Sequence, residues 1–261
     1  MMQKETLGGN LDTQLLKIIA GVCMIVDHAG VRLCHNMTEM RLIGRIAFPL
    51  YIWCLVVGVC YTRNEKKYAL RLLLAGLISQ PCYMLGLNHE WSQLNIFCTL
   101  LTGYLGILGI RKKWYGSQFW GPALALLFAC FVRMDYGWRG VLLIMLMYLA
   151  RRSPGAITAV MVAFCLYWGS SSYAVTRLFG ISFDGPFFNL EMVKAFMRLQ
   201  ALALLALPLI LWPRKTRLSF LPRWVGYAVY PAHLIILWLI QLALGVTTMQ
   251  LSLQLLIPGL M

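Results

Sequence analysis

The sequence predicts an all-α integral membrane protein, a polytopic bundle of about nine transmembrane helices. Hydrophobic residues make up 60% of the 261 residues, and the mean hydropathy is +0.72. Charged residues make up 12%, whereas soluble domains carry about a quarter. The apolar residues fall in runs of roughly 17 to 25 residues, which is the length that crosses a bilayer as a helix. An ordinary soluble domain is therefore excluded.

Each apolar run is bounded by polar or basic residues, which set the limits of the predicted spans. The predicted helices lie near 11–34, 44–62, 69–88, 94–110, 117–133, 137–150, 154–172, 190–212 and 224–246. The span at 137–150 is the weakest, because its apolar core is shorter than a bilayer crossing and a re-entrant helix would fit there too. Residues 247–261 are apolar enough for a further span or an interfacial tail, so the count ranges from eight to ten. No linker or repeat divides the chain, which predicts a single domain over 1–261.

The net charge of +14 comes from basic residues clustered between apolar runs, as in cytoplasmic loops, and not along one stripe as in nucleic-acid-binding proteins. Four clusters occupy alternate connections: Arg63, Lys66, Lys67 and Arg71; Arg111, Lys112 and Lys113; Arg151 and Arg152; and Arg214, Lys215, Arg217 and Arg223. They predict that these connections face the cytoplasm and, with nine spans, that the N-terminus is cytoplasmic too. No cleavage-site pattern follows the first apolar run, so we expect that helix in the mature protein.

Asp27 and His28 end the first apolar run, LLKIIAGVCMIVDH. A charged side chain near the bilayer centre costs about 2.5–3.5 kcal/mol, so such residues usually line a cavity, find a partner or do chemistry. Histidine titrates near neutral pH, and a neighbouring carboxylate can fix its tautomer, which suits a general base with a tuning partner. The alternative is a helix end that is wetted by lipid headgroups.

Arg41 and Arg45 are four residues apart, which places them on one helical face at the start of RLIGRIAFPLYIW. The glycine and proline of this run fit a close helix approach and a bend. Guanidinium groups suit a carboxylate, a phosphate or the developing oxyanion of acyl transfer. Snorkelling to the membrane surface is the alternative, and either arginine could instead pair with Asp27.

Other polar residues lie in or beside apolar runs. Arg133, Asp135, Tyr136 and Arg139 surround a glycine on the predicted outer side, where a local salt bridge would also explain them. Glu191, Lys194 and Arg198 have helical spacing and predict one charged face. His233 follows Pro231, which should kink the last strong span, and it could donate a hydrogen bond across helices.

The remaining histidines and the cysteines predict no metal site. His35 and His89 lie in short polar connections, and we expect both to be solvated. The eight cysteines contain no Cys-x-x-Cys pair, and all but Cys34 lie in or beside apolar runs, so we expect neither disulfides nor a metal.

Five ordered segments carry a family resemblance: DHAG at 27–30, RLIGRIAFPLY at 41–51, NIFCTLL at 95–101, DYGWRGVLLI at 135–144 and YPAHLIIL at 230–237. They resemble the signature segments of the TraX family over roughly residues 13 to 245. The best-known member acetylates the N-terminus of conjugative pilin, and the family is similar to the multi-helix membrane acyltransferases that use acetyl-CoA.

This resemblance implies an acetyl-CoA-dependent acetyltransferase, without a metal, whose acceptor is a pilin or fimbrial subunit in the cell envelope. Matched by motif, His28 would be the catalytic base and Asp27 its partner. The resemblance implies substrate, acetyl-CoA or oxyanion roles for Arg41, Arg45, Asn95, Tyr136 and His233. The alternatives from other classes are a proton-coupled small transporter or flippase, and a non-catalytic pilus or fimbrial assembly factor.

Overall fold

The protein is mostly helical, at 72% of residues, in a computed structural model that describes residues 6–35, 37–183, 185–214, 222 and 224–256. The α-helices are α1 Thr13–Arg32, α2 Thr38–Arg45, α3 Ala47–Tyr61, α4 Glu65–Leu87, α5 Ile96–Lys112, α6 Ser117–Phe131, α7 Gly137–Ala150, α8 Pro154–Gly169, α9 Glu191–Phe196, α10 Leu207–Leu211, α11 Val225–Ala243 and α12 Met249–Leu256. Two 3₁₀ segments, Trp114–Gly116 and Ala201–Ala206, and one antiparallel hairpin, β1 Arg177–Leu178 with β2 Ile181–Ser182, complete the described elements.

Four helical segments are long and apolar enough to cross a membrane: Thr13–Arg32, Thr38–Tyr61, Glu65–Leu87 and Val225–Ala243. This establishes the helical, membrane-protein character of the chain. The helices α5 to α8 have 17, 15, 14 and 16 residues. At about 1.5 Å per residue they are shorter than the roughly 30 Å hydrocarbon core. The prediction of about nine spans is therefore not confirmed.

The predicted helix over 190–212 is wrong as a continuous element. It is divided into α9, the 3₁₀ segment Ala201–Ala206 and α10. The division has a local cause, because Val175 N–H donates to Met197 O at 2.8 Å and Leu199 N–H donates to Tyr173 O at 3.0 Å. These hydrogen bonds join two distant segments of the chain and use backbone groups that would otherwise bond within a helix.

The second apolar run is divided at Ile46, whose own backbone is helical, and the bend expected there stays a prediction. The helix α2 ends at Arg45 and α3 begins at Ala47, with Pro49 in its first turn. Proline lacks a backbone N–H, so Pro49 cannot donate to the carbonyl four residues earlier, which accounts for the interruption in the hydrogen bonding.

The C-terminal tail contains one short helix among the residues that the structure describes. This helix, α12, is eight residues long and too short to span a bilayer. The rest of the predicted tail, 257–261, lies outside the described residues, as do Lys215, Arg217 and Arg223 of the last basic cluster.

The chain forms two compact units, which we call unit 1 and unit 2. Unit 1 consists of residues 1–54 and 150–219, and unit 2 of residues 55–149 and 220–261. A division into compact units does not by itself define independently folding domains, so the single domain over 1–261 stays a prediction.

In unit 1, α1 packs against α2, and α8 packs against the 3₁₀ segment Ala201–Ala206. The segment before α1 is anchored by two hydrogen bonds. Trp53 Nε1 donates to Asn10 O at 2.7 Å, and Asn10 N–H donates to Ile210 O at 2.7 Å. Asp12 caps α1 by accepting from Leu15 N–H at 3.2 Å and pairs with Arg214 at 3.3 Å. The N-terminal end of α1 is thereby fixed.

In unit 2, α4 packs against α5 and α11, α5 packs against α6, and α12 packs against α4. Gly86 lets α4 and α11 approach closely, since a Cβ there would lie 2.8 Å from Leu234 O. The buried Gln241 side chain then donates to Gly86 O at 2.8 Å. Small residues and interhelical hydrogen bonds of this kind hold helices together where both sides are apolar.

Candidate functional site

The strongest polar constellation of unit 1 is an ion cluster of Asp27, Arg41 and Arg45, which we call the arginine cluster. Arg41 Nη1 lies 3.1 Å from Asp27 Oδ1, and Arg45 Nη2 lies 3.1 Å from Asp27 Oδ2. The Asp27 side chain is 9% exposed, the Arg45 side chain 11% and the Arg41 side chain 22%. The sequence left open whether either arginine pairs with Asp27, and in the structure both arginines do.

Sequence spacing and two glycines bring the cluster together. The two arginines lie one turn apart on α2, and Arg45 Nε also donates to Arg41 O at 3.3 Å. Gly30 on α1 faces Met40 on α2, where a Cβ would lie 2.6 Å from the Met40 Cβ. A Cβ on Gly44 would overlap the Asp27 carboxyl group. The close approach of α1 and α2 thus depends on these two positions.

Sequence reasoning missed Gln200, the fourth member of this site. Arg45 Nη1 donates to Gln200 Oε1 at 3.1 Å, and Gln200 N–H donates to Ser172 Oγ at 3.2 Å. Gln200 directly follows the backbone pairing that breaks the predicted helix. No sequence signal identifies it, because it is one glutamine beside an apolar run, 155 residues from Arg45.

His28 lies next to Asp27 on α1 and is half-buried. Adjacent helical residues point about 100° apart, so the two side chains leave the helix in different directions. The Asp27 carboxylate is held by the two guanidinium groups. The roles of His28 as base and of Asp27 as its tuning partner stay predictions.

The predicted charged face of Glu191, Lys194 and Arg198 is wrong for Arg198. Lys194 Nζ does pair with Glu191 at 3.0 Å. Arg198 Nη1 instead donates to Ser170 O at 2.9 Å and to Ser172 O at 2.7 Å, beyond the C-terminal end of α8. A cation at that end is favoured by the helix dipole and by the carbonyls that have no intrahelical partner.

Asn95, the first predicted site residue of unit 2, is fully buried at the start of α5. Its Oδ1 accepts from Phe97 N–H at 3.0 Å, and its Nδ2 donates to Gly76 O at 2.7 Å and to Gln80 Oε1 at 2.8 Å. Gln80 Nε2 donates to Gln93 O at 2.8 Å. These bonds explain Asn95 as a helix cap that joins α4 to α5, and its predicted substrate role stays a prediction.

Asp135 and Tyr136 lie in a turn that is paired with the chain before α5. Leu94 N–H donates to Arg133 O and Asp135 N–H donates to Leu94 O, both at 2.9 Å, and the Thr99 hydroxyl donates to Asp135 O. Tyr136 has φ +63°, in the left-handed region that bulky side chains rarely adopt. Strain of this kind clusters at functional sites, which keeps Tyr136 as a candidate.

His233 is buried within α11, after Pro231. Its Nδ1 lies 2.9 Å from Val229 O, and a carbonyl can only accept, so the proton is on Nδ1 and Nε2 is the basic nitrogen of the neutral ring. The His233 ring meets Tyr230 edge-on at 5.5 Å, and Tyr230 meets Phe97 edge-on at 5.3 Å. Aromatic rings therefore connect His233 to the start of α5, where Asn95 lies.

Unit 2 also carries a basic surface, which we define as Arg63, Lys66, Lys67, Arg71, Arg111, Lys112 and Lys113. Glu65 joins its two halves, since its carboxylate lies 2.7 Å from Lys112 Nζ and 3.7 Å from Arg111 Nη1. Tyr104 also donates to Glu65 O at 3.0 Å. Two separate connections of the chain thus form one surface on which positive charge is in excess.

Two smaller expectations have different outcomes. The described residues contain all eight cysteines as free thiols. His35 is exposed as expected, whereas His89 is half-buried and stacks on Tyr83 at 4.6 Å between ring centroids, so it is only partly solvated. No three His, Cys, Asp or Glu side chains within the described ranges are grouped as a metal would require, and the expectation of no metal stays a prediction.

The chain is similar to a defined family and to two curated proteins. A family model described as "TraX protein" matches residues 12–241. A protein of Dichelobacter nodosus, described as "Probable fimbrial assembly protein FimC, serogroup H1", is 38% identical over 72 residues, 26% of this chain and 30% of that protein. An uncharacterized protein of Rickettsia prowazekii (strain Madrid E) is 28% identical over 142 residues, 52% of this chain and 55% of that protein. The chain therefore spans less than two thirds of either relative, and no solved structure matches it.

Proposed function

The chain belongs to the TraX family, and we propose that it is a membrane-embedded acetyltransferase. It would move the acetyl group of acetyl-CoA to the N-terminal amine of a pilin or fimbrial subunit on the outer side of the bacterial inner membrane. The family is linked to pilin acetylation, and the fimbrial name of the Dichelobacter relative supports a role in surface appendages. The cytoplasmic N-terminus is part of this proposal, since it follows from the basic connections.

The observation that carries the proposal is the arginine cluster, whose Asp27 directly precedes His28 in the sequence. A base and a guanidinium pair are the two elements that acyl transfer to an amine requires: one removes the proton, and the other stabilises the charge that develops on the carbonyl oxygen. Asp27 is buried and the two arginines are half-buried, so electrostatic interactions in the cluster are stronger than in water. Asp27 holds both guanidinium groups in place through contacts of 3.1 Å.

The proposed reaction is a direct transfer. The amine nitrogen attacks the acetyl carbonyl while His28 takes its proton, and an arginine stabilises the oxyanion. The C–S bond then breaks, the electron pair leaves on the CoA sulfur, and His28 returns the proton to that thiolate. A route through an acetyl-histidine is the competing chemistry.

The acceptor's pKa favours an N-terminal amine over a lysine. An α-amino group with a pKa of about 7.7–8.0 is appreciably neutral at pH 7, whereas a lysine with a pKa of about 10.4 is almost wholly protonated. A base of ordinary histidine strength therefore suits the α-amine better. A glycan hydroxyl stays open as an acceptor, because general-base catalysis needs only partial proton transfer.

We also propose that basic connections on the cytoplasmic side bind the phosphates of acetyl-CoA. Lysine and arginine side chains recognise phosphate groups through charge-assisted hydrogen bonds. Acetyl-CoA is cytoplasmic, and the proposed topology places these loops in the cytoplasm. Asn95, Tyr136 and His233 are kept as candidate substrate contacts of unit 2, each to be tested separately.

The test uses labelled acetyl-CoA, purified full-length protein and a host pilin or fimbrial subunit prepared in two forms. One form has a free N-terminal amine, and in the other this amine is blocked while the lysines remain. Label in the free form and none in the blocked form is the expected result. Equal labelling of both would reject the N-terminal acceptor, and no CoA release with either would favour the transporter or assembly-factor alternatives.

A further inference from the structure

We propose that Arg41 forms a binding site for a small oxyanion, a carboxylate or a phosphate ester, and that Gln200 is a positioning residue that holds Arg45 behind it. The anion site follows from the charges and contacts of unit 1. The further statement that this anion is a permanent group of the acceptor rests on the proposed function.

The arginine cluster carries a net positive charge. It combines one carboxylate with two guanidinium groups, so Asp27, Arg41 and Arg45 carry a surplus of one positive charge. Asp27 is buried and both arginines are half-buried, and charge removed from water is costly unless it is paired, so this surplus favours a second anion.

The protein anchors the two arginines unequally. Arg45 donates to both Asp27 oxygens, at 3.1 and 3.4 Å, to Gln200 Oε1 at 3.1 Å and to Arg41 O at 3.3 Å. These bonds use all three of its guanidinium nitrogens. Arg45 is therefore held in place by the protein itself, so a permanent anion is left to Arg41.

The Arg41 side chain is more exposed than the Arg45 side chain. Its guanidinium has one ion pair, to Asp27 Oδ1, among the residues that the structure describes. Its side chain is 22% exposed, twice the 11% of Arg45. A guanidinium has five N–H donors in a planar fork that matches carboxylate and phosphate oxygens. Arg41 therefore keeps donors for an incoming oxyanion.

Hydrogen bonds hold the backbone at Gln200 in place. Its backbone N–H donates to Ser172 Oγ, whose hydroxyl donates in turn to Gly169 O at 2.9 Å. The pairing of residues 173–175 with 197–199 fixes the backbone just before it. The position of Gln200 is thus fixed. Its side chain is neutral and accepts the hydrogen bond from Arg45 through the amide oxygen. Replacing it by glutamate would add the missing negative charge at nearly the same place.

The experiment measures thermal unfolding of the purified full-length protein in detergent, with inorganic phosphate or acetate replacing chloride at constant ionic strength. We expect either anion to raise the melting temperature of the wild type. In Arg41→Ala the half-saturating concentration should rise about ten-fold or more, because a charge-assisted hydrogen bond contributes about 1.5–3 kcal/mol. Arg177→Ala, which removes an exposed arginine of the same unit, should respond as the wild type does.

Gln200→Glu is the sharper variant, because it is nearly isosteric and brings the cluster to zero net charge. We expect it to fold, to be at least as stable in chloride as the wild type, and to lose the response to phosphate and acetate. An unchanged response in Gln200→Glu or in Arg41→Ala, or none in the wild type, would overturn the anion site. The readout needs no acetyl transfer, so failure of the proposed function alone would leave it intact. A response to phosphate but not acetate assigns a phosphate ester, and the reverse assigns a carboxylate.

Discussion

Asp27 holds two guanidinium groups at once and makes the geometry of Arg41 and Arg45 depend on a single carboxylate. If the carboxylate is lost, two half-buried positive charges remain without this partner. Breaking a buried ion pair by removing one member costs about 3–5 kcal/mol. The function proposed for the cluster therefore has a stability consequence that can be measured separately from activity.

Asp27→Asn should strongly lower the stability of the protein in detergent, by about 3–5 kcal/mol. The matched control is Glu191→Gln, the same chemical change in an ion pair of unit 1 whose carboxylate side chain is 88% exposed. Exposed pairs contribute little, so the control should unfold as the wild type does. Denaturant titration of both variants checks this, and equal effects would contradict the buried cluster.

Tyr136 gives a second prediction at this scale. Tyr136→Gly removes the left-handed strain at φ +63°, so the protein should be as stable as the wild type or more stable. If Tyr136 contacts substrate, acetyl transfer should nevertheless fall by at least about ten-fold, roughly 1.4 kcal/mol in the barrier. A fall in melting temperature with normal activity would assign the residue to the fold instead.

At the scale of elements, the sequence predicts α1 closely but not α2, which begins at Thr38, ahead of the predicted span at 44–62. The ends of α1 lie within about two residues of the predicted limits, because Asp12 supplies an N-cap where the apolar run begins. The spacing of Arg41 and Arg45 correctly placed them on one face. The segment 190–212 could not be predicted from hydropathy, since its helix is broken by hydrogen bonds to residues near 172–175, which no local pattern reveals.

Gly44→Ala tests the close approach of these two helices. The added methyl group would overlap the Asp27 carboxyl group, which cannot move without losing its arginines. We expect lost activity and a melting temperature lowered by several degrees, because overpacking a tight contact costs about 1–3 kcal/mol. Gly155→Ala is the control, since its Cβ would meet only Ser153 Oγ at 3.7 Å, an ordinary contact.

At the scale of the whole molecule, composition was enough for the class of protein but not for the number of spans. Hydropathy identifies apolar runs, yet α5 to α8 are each shorter than a crossing. The cluster at His28 was only partly predictable. Gln200 stands 155 residues from Arg45 along the chain, and a glutamine beside an apolar run carries no motif.

Topology provides the prediction at this scale. In a variant without the eight native cysteines, a single cysteine at Lys66 should react with a membrane-impermeant reagent only from the cytoplasmic side. A cysteine at Met37, which is exposed between α1 and α2, should react only from the outer side. Whole cells and inverted vesicles supply the two sides. Labelling of both positions from one side would contradict the proposed orientation.

The most direct test of the proposed function is acetyl transfer by wild-type, His28→Ala and His35→Asn proteins. Each is purified at full length and given labelled acetyl-CoA and a pilin or fimbrial subunit with a free N-terminus. His35 is the matched control because it is exposed and has φ +47°, which asparagine tolerates. We expect transfer by the wild type and His35→Asn and none by His28→Ala, with all three folded. Transfer by His28→Ala at the wild-type rate would contradict the role of His28 as the base.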